Sequence, residues 1–177
     1  MRKSRPSRVF MGLSGAMAIL FLIVLAFASN PDSNGISFPN GHFGYNLHVW
    51  NVGADPVGGN WYNIHSSHSC YLWNRTNKQL VVQWGFRQQI PEAGFLSQTG
   101  GYDGEQYWGE DKGGGTRTLE PAGNPGSSVY ASEVKVNYVE LTPGNLYHFK
   151  AITGANDTKG DDATDAWDEV IIDRRGE

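Results

Sequence analysis

QLVVQWGFR, residues 79–87, decides the fold. Leu80, Val82, Trp84 and Phe86 fall at alternate positions, with Gln79, Gln83 and Arg87 on the opposite side. Successive side chains of an extended chain point to opposite faces, so a period of two predicts a half-buried β-strand. SEVKVNYVEL, residues 132–141, repeats the pattern: Val134, Val136 and Tyr138 are the expected core face, opposed by Glu133, Lys135 and Asn137. Thr142, Pro143 and Gly144 then make a turn, and LYHFKAIT, residues 146–153, returns with Tyr147, Phe149 and Ala151 on one side. These two runs are expected in one sandwich, though not necessarily as a hairpin. The stretch 47–52 reads as the first strand and 167–173 (WDEVIID) as the closing one. Weaker runs at 70–73, 106–108 and 116–119 bring the count to seven or eight. Short strands separated by Gly-rich turns predict a mainly β, antiparallel β-sandwich.

Working outward, the N-terminus has a different character. Arg2, Lys3, Arg5 and Arg8 precede an uncharged run from Val9 to Ala28, and the next charge is Asp32. Twenty residues at ~1.5 Å of rise span ~30 Å, about the thickness of a bilayer's hydrocarbon core. The expected organisation is a cytoplasmic basic segment (1–8), a single transmembrane signal-anchor helix (9–28), a linker (29–46) and an extracytoplasmic, periplasmic or extracellular, β-domain (47–177). The basic flank places the N-terminus in the cytoplasm. Gly12 and Gly15, with Ser14 and Ala16, offer a small-residue face on which such a helix could dock in the membrane. The alternative is a cleaved signal peptide, because Ala26, Phe27 and Ala28 form an A-x-A site before Ser29, and the product would be secreted.

Beyond Ala28 remain 149 residues, enough for one domain, holding all 18 acidic residues but only 10 of the 14 Lys and Arg. The resulting formal charge of −8 repels phosphate backbones, so nucleic acid is excluded as an expected partner. Cys70 is the single cysteine, so an internal disulfide cannot form and stability must come from the core, a metal or association.

The stretch 141–173 (LTPGNLYHFKAITGANDTKGDDATDAWDEVIID) resembles the end of an immunoglobulin-like or PKD-type module. In such modules an L-x-P-G-x-x-Y-x-F turn and strand are followed by an acidic loop and a final V-x-I strand. The resemblance implies a sandwich fold and extracellular placement, and it carries over no catalytic residue. The Cys…Trp…Cys arrangement of antibody domains is missing.

Three groups of residues could carry chemistry. His65, His68 and Cys70 lie within six residues and are candidate Cu or Zn ligands, although an extended chain separates His65 from the other two and joint ligation requires a turn between the histidines. Asp157, Asp161, Asp162 and Asp165 sit in a carboxylate-dense loop that could supply oxygen ligands to Ca²⁺, without the order of an EF-hand. Phe95, Tyr102, Tyr107 and Trp108 lie in a stretch, 95–126, that holds nine glycines, where displayed aromatics could bury into a protein partner or stack on a glycan. No G-x-S-x-G, H-E-x-x-H or C-x-x-C occurs, and Gly113 to Gly115 lack the Lys of a phosphate loop. The expectation is therefore a non-enzymatic scaffolding or accessory subunit of a larger membrane assembly, respiratory, photosynthetic or filamentous, with other membrane subunits as partners and no cofactor. A secreted carbohydrate-binding module and an exported metal-binding protein are the alternatives.

Overall fold

The computed structural model describes residues 29–89, 110–161 and 165–177. Eight strands, β1 (Asp32–Ile36), β2 (Phe43–Gly58), β3 (Trp61–Asn74), β4 (Leu80–Gln89), β5 (Glu110–Leu119), β6 (Ser128–Glu140), β7 (Leu146–Asp157) and β8 (Ala166–Asp173), form two antiparallel four-stranded sheets. Their orders are β1-β2-β3-β6 and β5-β4-β7-β8. Phe43, Leu47, Val49, Cys70 and Leu72 of the first sheet bury against Leu80, Val82, Phe86, Ala151 and Ala155 of the second. A second cluster, Ile64, Leu141, Tyr147 and Phe149, fills one end. At the start of the described chain, Asn30 and Trp167 exchange both main-chain hydrogen bonds (3.0 and 2.8 Å), tying the entry segment to β8.

The stretch expected to be linker is part of the fold. β1 pairs with β2 from Asp32↔His48 to Ile36↔Gly44, and β2 begins at Phe43, not at Leu47. DSNGI lacks alternating hydrophobicity because β1 is an edge strand that draws its place from main-chain pairing, and only Ser33 within it is buried. The alternation of 79–87 and of 146–153 faces as expected: Leu80, Val82 and Phe86 are buried with Trp84 packed beside them, and Tyr147, Phe149 and Ala151 are buried. The turn at 142–144 carries the chain from one sheet to the other, so β6 and β7 do not pair. The Tyr147 hydroxyl accepts from the Thr142 N–H (2.7 Å) and donates to the Thr142 carbonyl (3.2 Å), closing that corner.

β6 reverses the expected faces. Lys135 is buried, whereas Tyr130, Val134, Val136 and Tyr138 are 57–69% exposed. The register of β3 explains the inversion. Glu133 and Lys135 pair with His68 and Ser66, whose side chains point inward, while Val134 and Val136 pair with Ser67 and His65 on the outer face. The interior beside β6 is a polar seam, and a lysine with its paired carboxylate fits it better than a valine would.

Candidate functional site

The outer face of sheet β1-β2-β3-β6 is built by residues at alternate positions of three strands. β6 contributes Tyr130, Val134, Val136 and Tyr138, β3 contributes Trp61, His65 and Tyr71, and β2 contributes Trp50. All of these except His65 are exposed large hydrophobics. Trp61 and Tyr138 stack with centroids 4.5 Å apart and planes 9° from parallel. Between Trp50 and Gly53 the β2–β3 register shifts, with Asn51 in the left-handed region at φ 53°. The bulge lets the His65 ring lie over Gly53, where a Cβ would stand 2.6 Å from two ring atoms. There Asn51 oxygen lies 2.7 Å from His65 Nδ1, and an Asp55 carboxylate oxygen 3.3 Å from Nε2. Asn51, Asp55, Asn63, His65 and Val136 line a shallow open basin of about 480 Å³.

Beneath this face runs the interior seam. The Asn137 amide donates to Gln88 Oε1 (2.5 Å) and the Gln88 amide to Ser66 Oγ (3.0 Å). Ser66 Oγ is 2.9 Å from His68 Nε2, and His68 Nδ1 is 3.0 Å from Thr153 Oγ1, which donates to the His48 carbonyl (3.1 Å). Both nitrogens of the fully buried His68 are therefore engaged by hydroxyls. Lys135 Nζ bonds Glu133 Oε1 at 2.8 Å, and the Glu133 carboxylate lies against Gly113 of β5, where any side chain would displace it. Cross-linking the two sheets by polar side chains in a low-dielectric interior fixes one arrangement of the sandwich, provided each group is satisfied.

A third cluster joins the β1–β2 turn to the end of β7. His42 Nδ1 is 3.0 Å from Asp157 Oδ2 and 2.8 Å from Asp161 Oδ2. Both carboxylates are side-chain buried, and the His42 ring is one-fifth exposed. Asp157 Oδ1 accepts from the N–H groups of Lys159 (2.8 Å) and Asp161 (3.0 Å), while Asp161 accepts from the Asn40 amide (2.6 Å) and the His42 N–H (3.2 Å). Burial works to raise the Asp161 carboxyl, but the main-chain donor of His42, the Asn40 amide and the His42 ring outweigh it and hold it below the usual carboxylate range. Among the described residues this is the one His and carboxylate set close enough to hold a divalent ion. One imidazole with two carboxylates resembles transition-metal donors more than the all-oxygen shell of Ca²⁺. Because every carboxylate oxygen already accepts an N–H, the cluster is complete as a hydrogen-bonded clamp.

The sequence candidates separate accordingly. β3 continues without a turn through 61–74, so His65 lies on the outer face while His68 and Cys70 lie on the inner one, and the turn that joint ligation required is absent. Burial pushes the Cys70 thiol up to about 12, against a smaller opposing effect from the Ala131 main chain. Asp157 and Asp161 come together, whereas Asp165 lies exposed over Gly154 of β7. Asp162, the aromatic candidates Phe95, Tyr102, Tyr107 and Trp108, and Gly12 and Gly15 lie outside the described residues. His42 was not singled out by sequence, since a histidine in a Gly- and Asn-rich stretch gives no sign of partners 115 and 119 residues away.

No family model matches the chain, and no curated protein matches it. Among solved structures, the X-ray structure of Northeast Structural Genomics Consortium target SoR45 is similar at 12% identity and a TM-score of 0.32, covering 78% of this chain and 91% of that one.

Proposed function

We propose that the chain is a non-enzymatic binding protein, held at the outer side of a membrane by residues 9–28 with its N-terminus cytoplasmic, and that it serves as an accessory or scaffolding subunit of a larger assembly. The exposed row of Tyr130, Val134, Val136 and Tyr138 carries this reading. Apolar side chains scattered singly on a surface need no explanation, but two valines and two tyrosines aligned on one strand, flanked by Trp50, Trp61 and Tyr71, make a continuous patch of the kind that docks on protein. An immunoglobulin-like sandwich is part of the proposal. Tyr147 closes its corner on Thr142 as the tyrosine of such folds does, and the order β8-β7-β4-β5 parallels their G-F-C-C′ sheet. β3, which stands between β2 and β6, departs from their A-B-E-D sheet.

The test is mild detergent extraction of the full chain, native sizing and identification of what co-purifies, for the wild type and for Val136→Asp. Other subunits should accompany the wild type and be lost from the variant, whose circular dichroism should be unchanged. Extraction of the chain with no other subunit overturns the reading.

The Trp61–Tyr138 stack beside Asn63, Asp55 and His65 favours a second reading, as a carbohydrate-binding module, because sugar recognition combines an aromatic platform with nearby hydrogen-bonding groups. Glycan-array hits lost on Trp61→Ala and Tyr138→Ala would select it, and a blank array would discard it.

A further inference from the structure

β6 closes one end of its sheet order, and among the described residues no strand lies beyond it. Folded proteins usually blunt such an edge with short strands, prolines or bulges. β1, at the opposite end of the same sheet, is five residues long. β6 is thirteen residues long, contains no proline, and matches β3 residue for residue from Trp61↔Glu140 to Trp73↔Ser128 with no register shift. It therefore presents a long, regular main-chain edge.

Three of the six pairs of positions about Val134 on that edge match one another. Read outward from Val134, SVYASEVKVNYVE places Glu133 against Lys135, Tyr130 against Tyr138, and Val129 against Val139. We propose that β6 pairs antiparallel with β6 of a second copy about a two-fold axis through Val134, joining two four-stranded sheets into one continuous eight-stranded sheet. A two-fold interface must be self-complementary, each residue i meeting j while j meets i, and the Glu133–Lys135, Tyr130–Tyr138 and Val129–Val139 pairs meet that condition. In this register Val134 faces Val134 of the second copy on the outer side. On the inner side each Glu133 stands opposite a Lys135, adding cross-strand pairs to the contact already made within each chain.

The buried lysine selects the register. Lys135 is already buried and paired with Glu133 of its own chain, so a second strand changes only which charges stand beside that pair. Sliding the second copy by two residues in either direction sets Glu133 against Glu133 or Lys135 against Lys135. Only the register centred on Val134 sets opposite charges side by side at both positions, and the other two bring like charges together.

This pairing uses the main-chain edge and the inner charges, independently of whether the outer face docks on a partner. The experiment uses the full chain in mild detergent. Sedimentation should give a dimer of the wild type at micromolar concentration. Glu133→Lys and Lys135→Glu should each weaken self-association by roughly a hundredfold, and an equal mixture of the two should restore a dimer containing one of each. Val134→Cys should form an intermolecular disulfide on mild oxidation, whereas Ser132→Cys should do so only when mixed with Val136→Cys. This cross-linking readout holds even if a variant at the buried Lys135 misfolds. A wild type that remains monomeric at about 100 µM overturns the proposal. So does a dimer whose Val134→Cys form fails to cross-link, or one indifferent to both charge reversals.

Discussion

β6 and β7 follow one another in the chain, share one corner and carry the same alternation of side chains, yet at mid-strand they bury opposite kinds of residue. β7 puts Tyr147, Phe149 and Ala151 inside, whereas β6 puts Lys135 inside and leaves Val134 and Val136 in solvent. Their positions account for the difference. β7 lies between β4 and β8, so its inner side chains meet the apolar clusters, whereas β6 is an edge whose inner neighbours are Ser66, His68 and Gln88. Period two in a sequence identifies two faces, and the neighbouring strands decide which of them is the inside.

The sharpest way to break the β7 side of this contrast is Phe149→Ala. The ring is 1% exposed, and its removal should cost about 3–5 kcal/mol, read as a lower denaturant midpoint with an unchanged slope. On β6 the order of sensitivities should invert. Lys135→Ala, which leaves the Glu133 carboxylate without its ammonium, should cost about 2–3 kcal/mol, below the range for a fully enclosed pair because Glu133 is about one-third exposed. Val136→Ala should stay within about 0.5 kcal/mol. A valine more costly to remove than the lysine would place the core on the other side of β6.

Smaller effects test where β7 ends. The depressed Asp161 carboxyl contributes stability above its unfolded value, and that stability is lost as pH falls through the folded one. Between about pH 5 and pH 3 the wild type should therefore lose melting temperature faster than Asp161→Asn, and equal slopes would remove the carboxylate from the account. Cys70, with its thiol pushed up to about 12 on the inner face of β3, gives the smallest readout. Ellman's reagent should find no thiol in the native protein and one after denaturation.

Much of the architecture was legible in the chain. Seven of the eight described strands, β2 to β8, overlap runs expected from the sequence, and the buried faces of β4 and β7 follow from alternation at 79–87 and 146–153. β1 was not legible, because an edge strand held by main-chain pairing needs no apolar pattern. The orientation of β6 was hidden for a related reason: Ser66 and His68, which make its inner neighbourhood polar, sit in a Ser- and His-rich run that reads equally well as a loop or a metal site. Of the candidate residues, Asp157 and Asp161 were found together, but His42, which completes their cluster, is joined to them only by the folding of distant segments.

The Asn30–Trp167 exchange has a mechanical consequence. A tether pulling at residue 29 meets the folded chain one residue later, at two main-chain hydrogen bonds to β8, and then at the five-residue ladder of β1. Tension would thus be shared by the first and last strands, in different sheets, before it reaches either apolar cluster. The outer face of β1-β2-β3-β6 would keep its shape under such a pull.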